Sequence, residues 1–433
     1  MPASSHITSL RALEILDSRG YPTLSVTVTL DNGITASASV PSGASTGAHE
    51  AVELRDNNPD RFAGKGVRQA LQNVEGEIGS AIIGMDVCAQ PDIDRVMIER
   101  DATPNKARLG GNAILGVSMA VARAASSVLA QPLYETLAGT TDYLLPMPCM
   151  NVLNGGKHAD SSLDFQEFMI VPVGASSFAE AMRYGAETYA ALRDLLHGRG
   201  LKTAVGDEGG FAPNLKSNEA ACELIVDAIE AAGYRPGTDI AIALDPAASS
   251  LSDGEQYDLA RSGTGLLDRA GLLALYGRWI DAYPIVSIED GFGEEDWQGF
   301  IDQTVSQGSR IQIVGDDLLV TNPRIIREGI ARKAANAALI KPNQIGTVTE
   351  TIEAVRICHA AGWGTMVSHR SGETTDAFIA DLAVAVGAGQ IKSGAPCRGE
   401  RLAKYNRLIE IEAELGAKAR FTNPFVSRPK PRT

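Results

Sequence analysis

From Asp239 to Pro396 the chain repeats one pattern, a short apolar run that stops on a charged or ionisable residue. IAIAL ends at Asp245, PIVSI at Glu289 and Asp290, and IQIVG at Asp316 and Asp317. AALI ends at Lys341, GTMVS at His369 and Arg370, and GQI at Lys392. Strands that are apolar at nearly every position suit a parallel sheet covered on both faces. Six such runs in succession, each closed by an ionisable group, predict a β/α barrel with its reacting groups at the C-terminal strand ends.

The pattern ahead of the barrel differs. Residues 5–40 alternate in strand fashion, with SVTVTL and ITASASV joined through Asp31-Asn32-Gly33, a strong hairpin signal. PSGASTG, from Pro41 to Gly47, is either a solvent loop or a mobile lid whose backbone and hydroxyls approach an anion or metal. From Asn58 to about Leu137 the period is helical, punctuated by Pro132 and Gly139. The stretch Thr140 to Pro148 reads as a bridge, and strand and helix signals alternate after it. Ser177-Phe-Ala-Glu180 is a capping box opening a helix that stops near Gly198, and a second helix spans Asn218 to Ala232. The expected organisation is α/β: an α+β capping domain over 1–138, a barrel over 139–420 and a loose basic, proline-rich tail over 421–433.

With 433 residues, two domains are the default. At 44% hydrophobic and 21% charged the chain reads as globular and water-soluble. A net charge of -14 argues against nucleic-acid or anionic-membrane partners. An anionic substrate therefore needs a local positive pocket. Cys88, Cys149, Cys222, Cys358 and Cys397 are scattered, as expected of thiols in a reducing compartment. MPASSHITSL has no signal-peptide character, and the apolar stretch Ala113 to Gln131 carries Arg123, as a packed helix would. A cytoplasmic protein is expected.

Asp245, Glu289 and Asp316 close three successive strands, so their carboxylates can converge. Packed anions repel unless a cation neutralises them, and an oxygen-only set favours Mg²⁺ or Mn²⁺. Lys341 precedes Pro342, which ends its strand at the mouth of the cup. It is either a base whose pKa is lowered by burial and neighbouring cations, or the ion-pair partner of one of the acids. Within Gly206-Asp-Glu-Gly-Gly210, Glu208 is either a surface-turn acid or a general acid that glycines let a substrate approach. His369, Arg370 and Ser371 form an anion clamp, Lys392 adds a point charge, and His158 sits on a glycine-rich loop.

These residues stand inside longer motifs: DSRGYPT, PSGASTG, LNGGKHAD, FQEFMI, GDEGGFAPN, SIEDG, GDDLLVTN, LIKPNQIGT, SHRSGET and IKSGAPCRGERLAKYN. In this order and over nearly the whole length, the chain resembles the enolase family. The resemblance implies a small α+β N-terminal domain and a barrel with an irregular start and one antiparallel strand. It also implies dehydration of 2-phosphoglycerate to phosphoenolpyruvate with two Mg²⁺, in a homodimer or octamer. By position it implies Asp245, Glu289 and Asp316 as ligands of the first ion and Ser45 as helping to hold the second. Lys341 is then the base and Glu208 the acid. His158, Gln166 and Glu167 lie on the substrate side, as do His369, Arg370 and Ser371 at the phosphate and Lys392 at the carboxylate. Three positions depart from the family pattern: Tyr21 in place of Asn, Pro342 in place of a bulky apolar residue, and Thr433 in place of a final lysine. A racemase or cycloisomerase of the same superfamily would carry paired lysines where GDEGG stands, and a catalytically dead scaffold would have lost a ligand or the base.

Overall fold

The protein is described by a computed structural model covering residues 5–43, 47–139, 141–159 and 161–425. Strands β1 (Ile7–Leu16), β2 (Pro22–Leu30) and β3 (Thr35–Ser39) form an antiparallel sheet in chain order. Leu24, Val26, Val28 and Leu30 are buried, while Ser25, Thr27 and Thr29 alternate with them on the other face. The predicted hairpin turns at Asp31-Asn32-Gly33, where Gly33 takes φ 84° and Leu30 N–H donates to Ile34 O at 2.9 Å. The helix Gly111–Leu129 covers this sheet. Gly116 permits the contact, since a Cβ there would lie 2.7 Å from Val26 Cγ2. Arg123 reaches out of the helix to both oxygens of Asp376, each at 2.6 Å. The stretch of membrane-like composition is thus a core helix. The helical period expected over 58–137 is broken into separate pieces, with Gly84 and Gly110 at φ 89° and 98° between them.

Tyr21 offers its ring to Lys65, whose ammonium lies 3.4 Å from the ring centroid. The departure at this position therefore adds a contact within the N-terminal part, away from the barrel.

Eight strands close the barrel: β4 (Met147–Asn154), β5 (Glu167–Val171), β6 (Ala241–Asp245), β7 (Ile285–Glu289), β8 (Gln312–Gly315), β9 (Ala337–Ile340), β10 (Gly364–Ser368) and β11 (Gly389–Lys392). β5 runs antiparallel to both β4 and β6, and the other pairs are parallel. Glu167, first in β5, consequently faces Asp245, last in β6. β4 starts at Met147, inside the stretch expected as a bridge, because Met147 and Cys149 point into the barrel core with Met169, Ala243 and Leu339. All five cysteines are free thiols.

Residues 421–425 are docked, where a loose tail was expected from 421. Arg420–Phe421 pairs in parallel with Leu144–Leu145, Phe421 meets Phe178 edge-on at 6.4 Å, and Asn423 Nδ2 donates to Val173 O at 3.1 Å. Burial of one aromatic ring accounts for this order. Residues 426–433 lie outside the described residues.

The N-terminal part sits over the C-terminal rim of the barrel. Ser42 and Gly372 exchange backbone hydrogen bonds, and Ala51 N–H donates to Gln344 O at 2.7 Å. The barrel helix Val348–Ala360 begins under the same cover. Its Val348 N–H donates to Ser118 Oγ at 2.9 Å, and Thr349 N–H and hydroxyl donate to Asp94 Oδ2 at 3.1 and 2.5 Å. Asp94 is fully buried and also accepts from Gln90 Nε2. Asp94→Ala leaves these donors without their acceptor and is expected to cost about 1–3 kcal/mol. Thermal unfolding should show a lower midpoint for Asp94→Ala but not for Asp92→Ala, exposed on the same helix; equal midpoints would contradict the cap.

Candidate active site

The described site residues converge on the rim. Glu208, Lys341, His158, Gln166, Glu167, His369, Arg370, Ser371, Lys392, Asp245 and Asp316 line one cleft. Glu289 reaches it from below through Lys392, and Ser45 lies outside the described residues. Asp245, Glu289 and Asp316 occupy one rim, but they divide between two lysines instead of facing a common point. Lys392 Nζ lies 2.8 Å from Asp245 Oδ2, 2.9 Å from Glu289 Oε1 and 3.2 Å from Glu167 Oε2. Lys341 Nζ lies 2.5 Å from Asp316 Oδ2.

One ammonium against three buried carboxylates leaves the cluster negative. Burial and the charge of Asp245 hold Glu289 well above the ordinary carboxylate range, with Lys392 opposing. Burial and the charge of Glu208 do the same to Glu167. Burial works against the Lys392 ammonium, but Asp245, Glu167 and Glu289 outweigh it and hold the group well above its usual value. Glu289 Oε2 is buried with no hydrogen-bond partner among the described residues. An oxygen-only donor set with surplus negative charge and an unpartnered oxygen fits a hard divalent cation.

Lys341 differs from the expectation of a lowered pKa. Burial acts downwards, but Asp316 beside it prevails, and the group sits above its usual value. Pro342, directly after Lys341, starts a short helical turn, Pro342–Ile345. Gln344 in that turn donates from Nε2 to Asp316 Oδ1 at 2.9 Å and to Glu50 Oε1 at 3.2 Å. Its Oε1 accepts from Thr321 Oγ1 at 2.8 Å, and Thr321 Oγ1 in turn accepts Lys341 N–H at 2.8 Å. Thr321 takes φ 56° and its neighbour Val320 φ 44°, conformations unfavourable for β-branched residues. Backbone strain thus lies beside the lysine. Asp290, at φ 41°, accepts the N–H groups of Asp316 and Asp317 at 2.8 and 2.9 Å. Burial and the charge of Asp316 push Asp317 up to about 7.

On another side of the cleft, His158, Glu167 and Glu208 bring ligand atoms within 4.8 Å of one another, as do Asp290, Asp316 and Asp317. His158, on its glycine-rich loop, is buried, with Nδ1 3.6 Å from Glu167 Oε1 and 3.7 Å from Glu208 Oε2. Glu208 is buried and accepts from Asn151 Nδ2 at 3.1 Å. Burial raises it, but His369 and His158 bring it well below the ordinary carboxylate range. Two carboxyl groups this close do not both stay ionised easily, so the pair keeps one proton, resting on Glu167. Gln166 donates its N–H to Asp245 O at 3.1 Å and leaves Oε1 buried without a partner among the described residues. Arg370 meets Glu50 at 3.0 Å and Asn343 Oδ1 at 2.9 Å, and Ser371 Oγ accepts from Arg19 at 3.4 Å.

Family models match the chain on both sides: "Enolase, N-terminal domain" over residues 7–137 and "Enolase, C-terminal TIM barrel domain" over 142–428. The chain is 61% identical over 417 residues to "Enolase 1" of Methylococcus capsulatus, covering 96% of this chain and 99% of that one. It is 58% identical over 418 residues to an enolase of Desulfotalea psychrophila, with the same coverage. An enolase of Acidothermus cellulolyticus is 56% identical over 415 residues, 96% of each chain. The chain belongs to the enolase family.

Within this enolase fold, Asp290, one of the strand-end acids, completes the rim with Glu50, Gln344 and Arg401, and the sequence alone does not single out the last three. Glu50 and Gln344 stand in quoted or adjacent motifs, yet only their contacts reveal that they join Arg370 to Asp316. Lys392→Met leaves Asp245, Glu289 and Glu167 without their shared counter-charge. Removing one partner of a buried ion cluster costs about 3–5 kcal/mol. Denaturant unfolding in chelator should show that loss, with part of it regained on adding Mg²⁺; wild-type stability in the variant would contradict the charge assignment.

Proposed function

We propose that this protein reversibly dehydrates 2-phospho-D-glycerate to phosphoenolpyruvate with Mg²⁺, serving glycolysis and gluconeogenesis. The observation that carries the proposal is one cleft lined by Lys341, by the neighbouring carboxyls of Glu167 and Glu208, and by further carboxylates. Asp245, Glu289 and Asp316 hold the first ion. Ser45 would help to hold a second ion beside the substrate. Bound there, Mg²⁺ supplies Lewis acidity to the substrate carboxylate and draws the charge of Asp316 away from Lys341.

Arg370 and Ser371 bind the phosphate and Lys392 the carboxylate side. Lys341 Nζ takes the proton from C2, and the electron pair stays on the substrate carboxylate side. As that pair forms the C2–C3 double bond, the C3–O bond breaks and hydroxide leaves. Glu208 gives it the proton shared with Glu167, so water departs and charge balances. His158 and Gln166 orient the leaving hydroxyl. The starting state is restored when Lys341 loses its proton to solvent and the Glu208–Glu167 pair takes one up.

The same reading takes the boundary of the capping domain near residue 138 and places the enzyme in the cytoplasm as a homodimer or octamer. Leu13 and Leu16, 48% and 57% exposed on the edge strand β1, support an interface. Purified protein with Mg²⁺ is expected to form the enol phosphate from 2-phosphoglycerate and to stop in chelator; no product with Mg²⁺ present would overturn the proposal. Lys341→Ala is expected to lower kcat by on the order of 10²–10⁴-fold while Mg²⁺ still binds. Near-normal turnover would remove Lys341 from the role of base.

A further inference from the structure

Arg401 lies in the helix Gly399–Leu415 and is fully buried. Its Nη1 is 2.6 Å from His369 Nδ1 and donates to Arg370 O at 2.6 Å. Its Nη2 donates to Ser371 O at 2.7 Å and to Asp207 O at 3.0 Å. The guanidinium therefore ties the segment carrying Glu208 to the segment carrying His369, Arg370 and Ser371.

A guanidinium has N–H donors and no acceptor. The ring nitrogen facing it at 2.6 Å must accept, so His369 Nδ1 carries no proton. In the neutral ring the proton is then on Nε2, which lies 3.4 Å from Glu208 Oε2. Burial pushes His369 down to about 4, against the opposing charge of Glu208, so the neutral ring is the form present near neutrality. Asn151 Nδ2 aims at the same Oε2. The Asn151 donor makes Oε2 an acceptor, with His369 Nε2 beside it at 3.4 Å, so a proton handed on by Glu208 passes through Oε1. The opposite tautomer would turn a lone pair of His369 towards Glu208 and compete with substrate for that proton.

We infer that Arg401 is a positioning residue that fixes His369 in its Nε2–H tautomer and so leaves Glu208 Oε1 as the oxygen through which the proton shared with Glu167 passes to the leaving group. The function of this proton rests on the reaction proposed above; the tautomer does not.

The test is a long-range ¹H–¹⁵N correlation spectrum of the Mg²⁺-loaded full-length enzyme at pH 7, labelled at histidine, with His369 assigned through His369→Gln. The expected spectrum shows a protonated Nε2 and an unprotonated Nδ1. An Nδ1–H tautomer or an imidazolium in the wild type overturns the inference, and this needs no arginine variant. Arg401→Lys, which keeps a donor-only group, should retain the tautomer. Arg401→Met should mix the tautomers and lower kcat on the order of 100-fold. A folded Arg401→Met with the tautomer unchanged overturns the inference whatever its activity. An inactive wild type with the expected spectrum would instead remove the proposed reaction and leave the tautomer assignment standing.

Discussion

Lys392 meets three buried carboxylates with a single positive charge, and the arrangement of the rim follows from that imbalance. Charges a few ångströms apart in a poorly hydrated site interact far more strongly than in water. The residual negative charge therefore has to be spread, protonated or neutralised. Burial and neighbouring carboxylates hold Glu167 and Glu289 well above the ordinary carboxylate range. Asp316 finds a separate partner in Lys341. A cation entering the cup would meet carboxylates already brought together by the closed barrel, so little ordering remains to be done on binding.

The barrel alone does not complete the cleft. Glu50 comes from the N-terminal part and holds Arg370, while Gln344 connects Glu50 to Asp316 and, through Thr321, to the backbone of Lys341. Arg370, Lys341 and Asp316 thus share one hydrogen-bonded chain crossing between the two parts of the protein. The positive φ angles at Asp290, Val320 and Thr321 fall along it. Such conformations persist where surrounding contacts over-determine them, and here the contacts come from both parts.

The strand-end acids and lysines were legible because a parallel barrel brings successive C-terminal ends to one rim. Asp245, Glu289, Asp316, Lys341 and Lys392 all follow that rule. Glu167 obeys the reverse rule, since β5 is antiparallel and presents its first residue to the rim; periodicity carries no strand direction. Family motifs supplied what the pattern did not. Glu50, Gln344 and Arg401 sit in a loop, a short turn and a helix, where the residue type is unremarkable until its partners are known. The pKa of Lys341 was misread for a related reason, because the closeness of Asp316 depends on side-chain geometry across two strands. Phe421 was read as part of a loose tail because proline and basic residues follow it, whereas the burial of its ring against Phe178 decides its place.

Divalent-cation affinity tests the charge imbalance most directly. Calorimetric titration of the full-length protein with Mg²⁺, in the absence of substrate, should compare wild type with Glu289→Gln. The wild type is expected to bind and the variant to lose about ten-fold or more in affinity, about 1.4 kcal/mol, because a neutral amide replaces the carboxylate whose Oε2 is unpartnered. Equal affinities, or no binding by the wild type, would contradict a cation site built on these carboxylates.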